Sequence, residues 1–115
     1  MRSWCLVLTA AFVMLTSFYT SAAAGWSGKS KVKSMYVLNE TTALIKLESF
    51  QNPHNCKVNS SGDIILNPLT NKTWFTVLLS AQMAGKEVDV YVNASCGKTH
   101  WVGPTFATIG HVRLF

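Results

Sequence analysis

Two cysteines set the strongest constraint on what this sequence can fold into. Cys56 and Cys96 are the pair that remains once an N-terminal export signal is taken away, and they stand about 40 residues apart in a domain of about 91. The signal is read over 1–24. Arg2 gives a short positive start, Leu6 to Leu15 is an apolar run of the right length, and Ala22-Ala23-Ala24 offers small residues for cleavage. A membrane anchor fits less well, because the uncharged stretch is broken by Thr, Ser and Tyr, and no later segment is long enough to span a bilayer. The remaining chain, 25–115, is expected to be exported, to the extracellular space or to a bacterial periplasm. Cys5 leaves with the signal, and in an oxidising compartment the two cysteines left over form a disulfide. Closing a loop of that length contributes roughly 4 kcal/mol, a large term for a domain too small to build a big core. A zinc site made from His54, Cys56, Cys96 and His100 is the rival; its ligand spacing is unusual, and export favours oxidation.

The rest of the chain alternates or turns. Residues 31–38 follow a period of two, with Val32, Ser34, Tyr36 and Leu38 on one side of a strand, and Asn39-Glu40 is a turn. Residues 41–49 form a second strand with Ala43, Ile45 and Leu47 on one face, so the two make a hairpin. A loop rich in Asn, Pro, Ser and Gly follows to Gly62, then a short strand over 63–67 that Pro68 stops. From Asn71 to Gly85 the apolar residues recur at three and four, predicting one helix that starts at Asn71 or Thr73 and ends with Gly85 in the left-handed position. Glu87 to Val92 is a fourth strand with Val88, Val90 and Val92 inward. A loop over 93–104 carries Cys96, His100 and Trp101, and a last strand runs from about Phe106 to Leu114. The fold class is therefore mainly β with one helix. Three strands, a helix and two strands in about 90 residues is the order of a five-stranded OB-fold barrel with its helix between strands 3 and 4, a generic α+β sheet being the alternative. In that barrel the loops holding Cys56 and Cys96 open at the same end, which lets them meet.

Four stretches carry a family resemblance: Trp26-Ser27-Gly28 at the start, the valine-rich first strand, TWFTVLLSAQMAGKE leading into VDVYV and then a cysteine, and the basic, aromatic-tailed end. On these the chain resembles the family of small secreted proteins around the B subunits of subtilase-type cytotoxins. The resemblance implies an OB-fold B subunit that assembles as a homo-pentamer, binds sialylated glycans on host cells and delivers a separate catalytic subunit. Ser30 is the nearest match to the sugar-contacting serine of that family. The family's tyrosine at the end of the fourth strand falls at Val92 here, with Tyr91 one position short, on the opposite face. The family's disulfide lies wholly before its helix, whereas Cys56 and Cys96 straddle this one.

Catalytic patterns are missing from the sequence. Gly97-Lys98-Thr99 imitates part of a phosphate loop, but the glycine that motif needs five residues earlier is Val92, and no nucleophile elbow or zinc-protease motif occurs. No metal or cofactor is called for. Binding is the better reading, since a sugar ring needs an aromatic plate with hydrogen-bonding groups around it. Ser30, Tyr91, His100 and Trp101 are the candidate ligand residues; Tyr36 and Trp74 read as core. Lys29, Lys31 and Lys33 form a basic set suited to an acidic ligand or to a solvated strand edge, and export argues against nucleic acid. Four sequons, at Asn39, Asn59, Asn71 and Asn93, would carry glycans in a eukaryotic secretory pathway. The expected function is a secreted, non-enzymatic module for a cell-surface glycan or glycoprotein. The alternative is a small secreted scaffold or inhibitor that contacts one protein partner without binding sugar.

Overall fold

The structure is a computed structural model that describes residues 24–115. The signal read over 1–24 lies, apart from Ala24, outside the described residues. Six strands and a helix follow: β1 (Gly25–Trp26), β2 (Ser30–Asn39), β3 (Thr42–Leu47), β4 (Ile64–Leu66), α1 (Lys72–Ala84), β5 (Glu87–Gly97) and β6 (Phe106–Leu114). Among the described residues no helix is long and apolar enough to cross a membrane.

The strands pair in a ring. β2 and β3 form the expected hairpin, and β3 pairs with β4, antiparallel in both cases. β4 then runs parallel to β6 through Ile64↔Ala107 and Ile65↔Thr108, β6 lies antiparallel to β5, and β5 returns to β2 through Ser30↔Val88 and Lys31↔Glu87. The mainly β fold with one helix and a cyclic sheet is thus present. Val88, Val90 and Val92 face the interior with no exposure, as their alternation requires, beside Val32, Ile45, Leu47, Ile64 and Ala107. α1 covers this core with Leu78 and Ala81, while Trp74 and Phe75 lie half-buried against it. Gly85 ends the helix at φ 66°, and its N–H and that of Lys86 close onto the carbonyls of Gln82 and Ala81. A residue with a Cβ is strained at that dihedral, which is why glycine stands there.

Several expectations need correcting. β1 has only two residues, too few to show a period, and exists because Gly25 and Trp26 find Val92 and Tyr91 across the sheet. β5 continues five residues beyond Val92, so Cys96 sits in a strand and the loop before β6 begins at Lys98. The register between β2 and β3 skips a residue between Val32 and Ser34. That bulge reverses the alternation beyond it: Met35 packs against the core, and Tyr36, read as core, is 48 % exposed. On the helix, Leu79 belongs to the apolar pattern yet faces solvent.

Two devices close the structure. Cys56 and Cys96 are bonded, with Cα atoms 5.7 Å apart, which consumes both thiolates a zinc site would have used. Asp63 is 1 % exposed; one carboxylate oxygen accepts from Lys46 Nζ at 2.7 Å and the other from the Leu47 N–H at 3.0 Å. Its own backbone N–H donates to the Ile45 carbonyl, and its carbonyl accepts from the Ala107 N–H. Replacing both cysteines by serine is expected to lower the unfolding free energy by about 4 kcal/mol in denaturant titration, with reductant producing the same loss in the parent protein. Asp63→Ala, which leaves the buried Leu47 N–H without its acceptor and the Lys46 ammonium without its counter-charge, is expected to cost about 3 kcal/mol.

Candidate functional site

The strongest constellation of ligand-type side chains is built where the ring's outer face meets the loop 98–105. Tyr36, Leu44 and Ile65 are Cα partners in β2, β3 and β4, and each alternates with a residue of the core. Leu44 is fully buried on that outer side, with Gly62 against it: a Cβ on Gly62 would come within 2.7 Å of the Leu44 Cβ. Gly97 serves β4 in the same way, since a Cβ there would meet Ile65 Cγ2 at 2.7 Å. These close approaches let the loops lie flat on the sheet and deliver Trp101 beside Tyr36.

Trp101 is the centre of the cluster. Its ring meets Tyr36 edge-on at 5.9 Å and an interplanar angle of 87°, and His100 at 5.0 Å and 47°. Two clefts flank it. One, of about 370 Å³, is lined by Tyr36, Val37, Leu38, Asn39, His100 and Trp101. The other, of about 590 Å³, runs between the loop and residues 55–57, with Lys57, Lys98 and Thr99 among its walls. The loop is tied down by reciprocal bonds: the Lys57 N–H donates to Thr105 Oγ1 at 2.7 Å, and the Thr105 N–H donates to the Lys57 carbonyl at 3.0 Å. The Trp101 N–H donates to Thr99 Oγ1. The disulfide joins the residue just before Lys57 to the end of β5, two residues before Lys98, so one covalent bond holds both walls of the larger cleft.

Of the four candidates read from the sequence, His100 and Trp101 come together here. Ser30 does not join them; it is buried, and its hydroxyl accepts from the Ser49 N–H at 3.0 Å and donates to the Lys31 carbonyl at 3.3 Å. Tyr91 lies on a different face. There it stacks flat on His111 at 4.7 Å, Trp26 stands edge-on to both, and the Arg113 guanidinium lies 4.6 Å from the Trp26 ring centre. Tyr36, which the sequence reading assigned to the core, is exposed beside Trp101 instead, through a bulge that no alternation pattern reveals. Among the sequons, Asn39, Asn59 and Asn93 are exposed and Asn71 is half-buried at the start of α1; Asn93 Nδ2 is engaged by the Ile109 carbonyl.

Compared with protein-family models, curated proteins and solved structures, the chain matches none.

Because Trp101 is a half-buried surface plate and not a core member, Trp101→Ala is expected to cost only about 1 kcal/mol in thermal unfolding, the worth of an aromatic edge contact. Leu44→Ala, at a fully buried site, is expected to cost roughly 3 kcal/mol.

Proposed function

We propose that this chain is a secreted, non-enzymatic carbohydrate-binding module built on an OB-type barrel, and that its ligand occupies the cleft around Trp101. The observation that carries the reading is the grouping of Tyr36, His100 and Trp101 beside an open cleft. An indole plate offers its face to the apolar side of a sugar ring. A histidine, two asparagines, two threonines and two lysines around it offer donors and acceptors for the hydroxyls.

The barrel part of the proposal is supported by the order of pairing. β2 to β6 form a five-membered cycle with α1 between the third and fourth of them, as an OB-fold requires. The turn after β2 and the loop 98–105 then correspond to the two loops with which OB-folds hold oligosaccharides, and Asn39 and Trp101 belong to them. The resemblance to toxin B subunits extends the reading to a pentameric assembly that carries a catalytic partner. Ser30 and Tyr91, the residues that resemblance would bring over, lie outside the cleft, so the binding role is assigned to the aromatic cluster.

A glycan array with the oxidised protein, followed by calorimetric titration of the best ligand, tests this. Trp101→Ala and Tyr36→Ala are expected to weaken binding by about tenfold or more, equivalent to about 1.4 kcal/mol, while Ser30→Ala and Tyr91→Ala leave the affinity of any folded variant within about twofold. An array without hits, or binding that ignores Trp101→Ala, overturns the proposal.

A further inference from the structure

Lys29, Lys31, Lys33, Lys86 and Arg113 gather where β2 and β5 begin and β6 ends. The register brings them there: Lys31 is the Cα partner of Glu87, Lys86 precedes Glu87, and Arg113 is the partner of Asp89. The Phe115 N–H donates to the Glu87 carbonyl at 2.9 Å, which holds the end of the chain at the same place. All five cations are exposed. Among the described residues the one ion pair is Lys46–Asp63, so none of the five has a carboxylate at ion-pair distance. Three acids lie nearby: Glu87, Asp89, and Glu48, whose N–H donates to the Lys31 carbonyl; Asp89 spends Oδ1 on the Gly28 N–H at 3.1 Å, while Arg113, its partner in register, turns to the Trp26 ring instead.

The rings fix the cations in place. Lys29 Nζ sits 4.4 Å from the centre of the Phe115 ring, and the Arg113 guanidinium is 6.0 Å from that same ring. Two like charges sharing one aromatic side chain repel, and an anion placed between them relieves the repulsion. Holding long side chains against rings also lowers the ordering cost of binding such an anion.

We infer that this corner is a second ligand surface and that its occupant is a linear sulfated polysaccharide. Lys31 and Lys33 continue the row of charge along β2, alternate residues of a strand being roughly 7 Å apart, so successive sulfates of one chain can meet successive cations. An anionic membrane fits less well. Phe115 is the ring that would have to enter the lipid, and it could do so only by taking the Lys29 ammonium resting on it out of water. Along β2 the Lys29–Arg113 end of this surface lies roughly 30 Å from Asn39, whereas Lys33 comes within roughly 10 Å of Tyr36 at the edge of the Trp101 cleft, so the two surfaces are tested at their far ends.

Retention on immobilised heparin in a salt gradient tests the inference, using the full oxidised protein. The double variant K29Q/R113Q is expected to elute at distinctly lower salt than the parent, with affinity at physiological ionic strength reduced by roughly tenfold or more. The control K57Q/K98Q removes the same formal charge from the Trp101 cleft and is expected to elute with the parent. Equal shifts in the two doubles would show that net charge alone retains the protein, and would overturn the inference. Vesicles of phosphatidylserine in neutral lipid are expected not to sediment the protein at the same ionic strength. Sedimentation that K29Q/R113Q abolishes while heparin retention persists would overturn it in favour of a membrane. Trp101→Ala is expected to keep full retention, so this surface can fail or stand separately from the cleft. All four substituted cations are exposed, so melting temperatures serve as the check that each variant folds.

Discussion

Three residues close this fold. β4 is the only strand between the β2–β3 hairpin and β6, it must pair on both edges, and it has only Ile64, Ile65 and Leu66 with which to do so. A strand that short supplies few ladder bonds, and its pairing with β6 is parallel, the slightly weaker kind. Asp63 makes up the deficit. Its backbone donates to β3 and accepts from β6, and its carboxylate takes a further β3 N–H together with the Lys46 ammonium. Because both carboxylate oxygens are used and Lys46 Nζ also reaches the Asn59 carbonyl, the buried charge is solvated by the protein on every side. The same network orients the loop that carries Cys56 to the ring, so the closure of the sheet and the position of the disulfide depend on one another.

The parts of this architecture that were legible are those where one physical signal dominates. Val88, Val90 and Val92 can only be one face of a strand buried on that side. The recurrence from Trp74 to Ala84 can only be a helix, and Gly85 marks its end. What was illegible depended on partners distant in sequence. Gly25 and Trp26 become a strand because β5 offers an edge there. β5 runs on to Gly97 because β6 pairs with it through Cys96↔Ala107 and Gly97↔Phe106, not because Asn93, Ala94 and Ser95 favour a strand. The site divides in the same way. Trp101 and His100 were visible as aromatics in a loop, whereas the burial of Ser30 follows from its bond to Ser49 across the hairpin, which sequence spacing alone does not display.

The disulfide does more than restrict the unfolded chain. Cys56 lies next to Lys57 and Cys96 two residues before Lys98, on the walls of the larger cleft, and the reciprocal Lys57–Thr105 bonds continue the seam toward β6. The loop bearing Trp101 is therefore anchored at its start by covalent chemistry and at its end by two hydrogen bonds. Its middle stays open: Val102 is fully exposed, and Gly103 takes φ 112° with nothing within 4 Å of where a Cβ would stand. Rigid ends with a free tip let a loop keep an aromatic plate in position and still adjust to what lies on it.

β2 joins these features through one extra residue. Before the bulge, Val32 reaches the core and Ser30 and Lys31 pair with β5, so that half of the strand belongs to the ring. Beyond it β2 has left β5 behind and pairs with β3 alone, and the inverted parity gives the inward place to Met35 and the outward place to Tyr36. Regular alternation would have put Tyr36 among the valines, where its hydroxyl would need a buried partner. It would also have left Trp101 without the ring it packs against. An edge exposed in this way invites pairing with other chains, and Lys33, the charged residue at the bulge, is a means by which strands resist it. Lys33, a member of the cationic row, and the bulge that exposes Tyr36 are thus consequences of one arrangement: a ring strand that outruns its neighbour and must be both protected and turned outward.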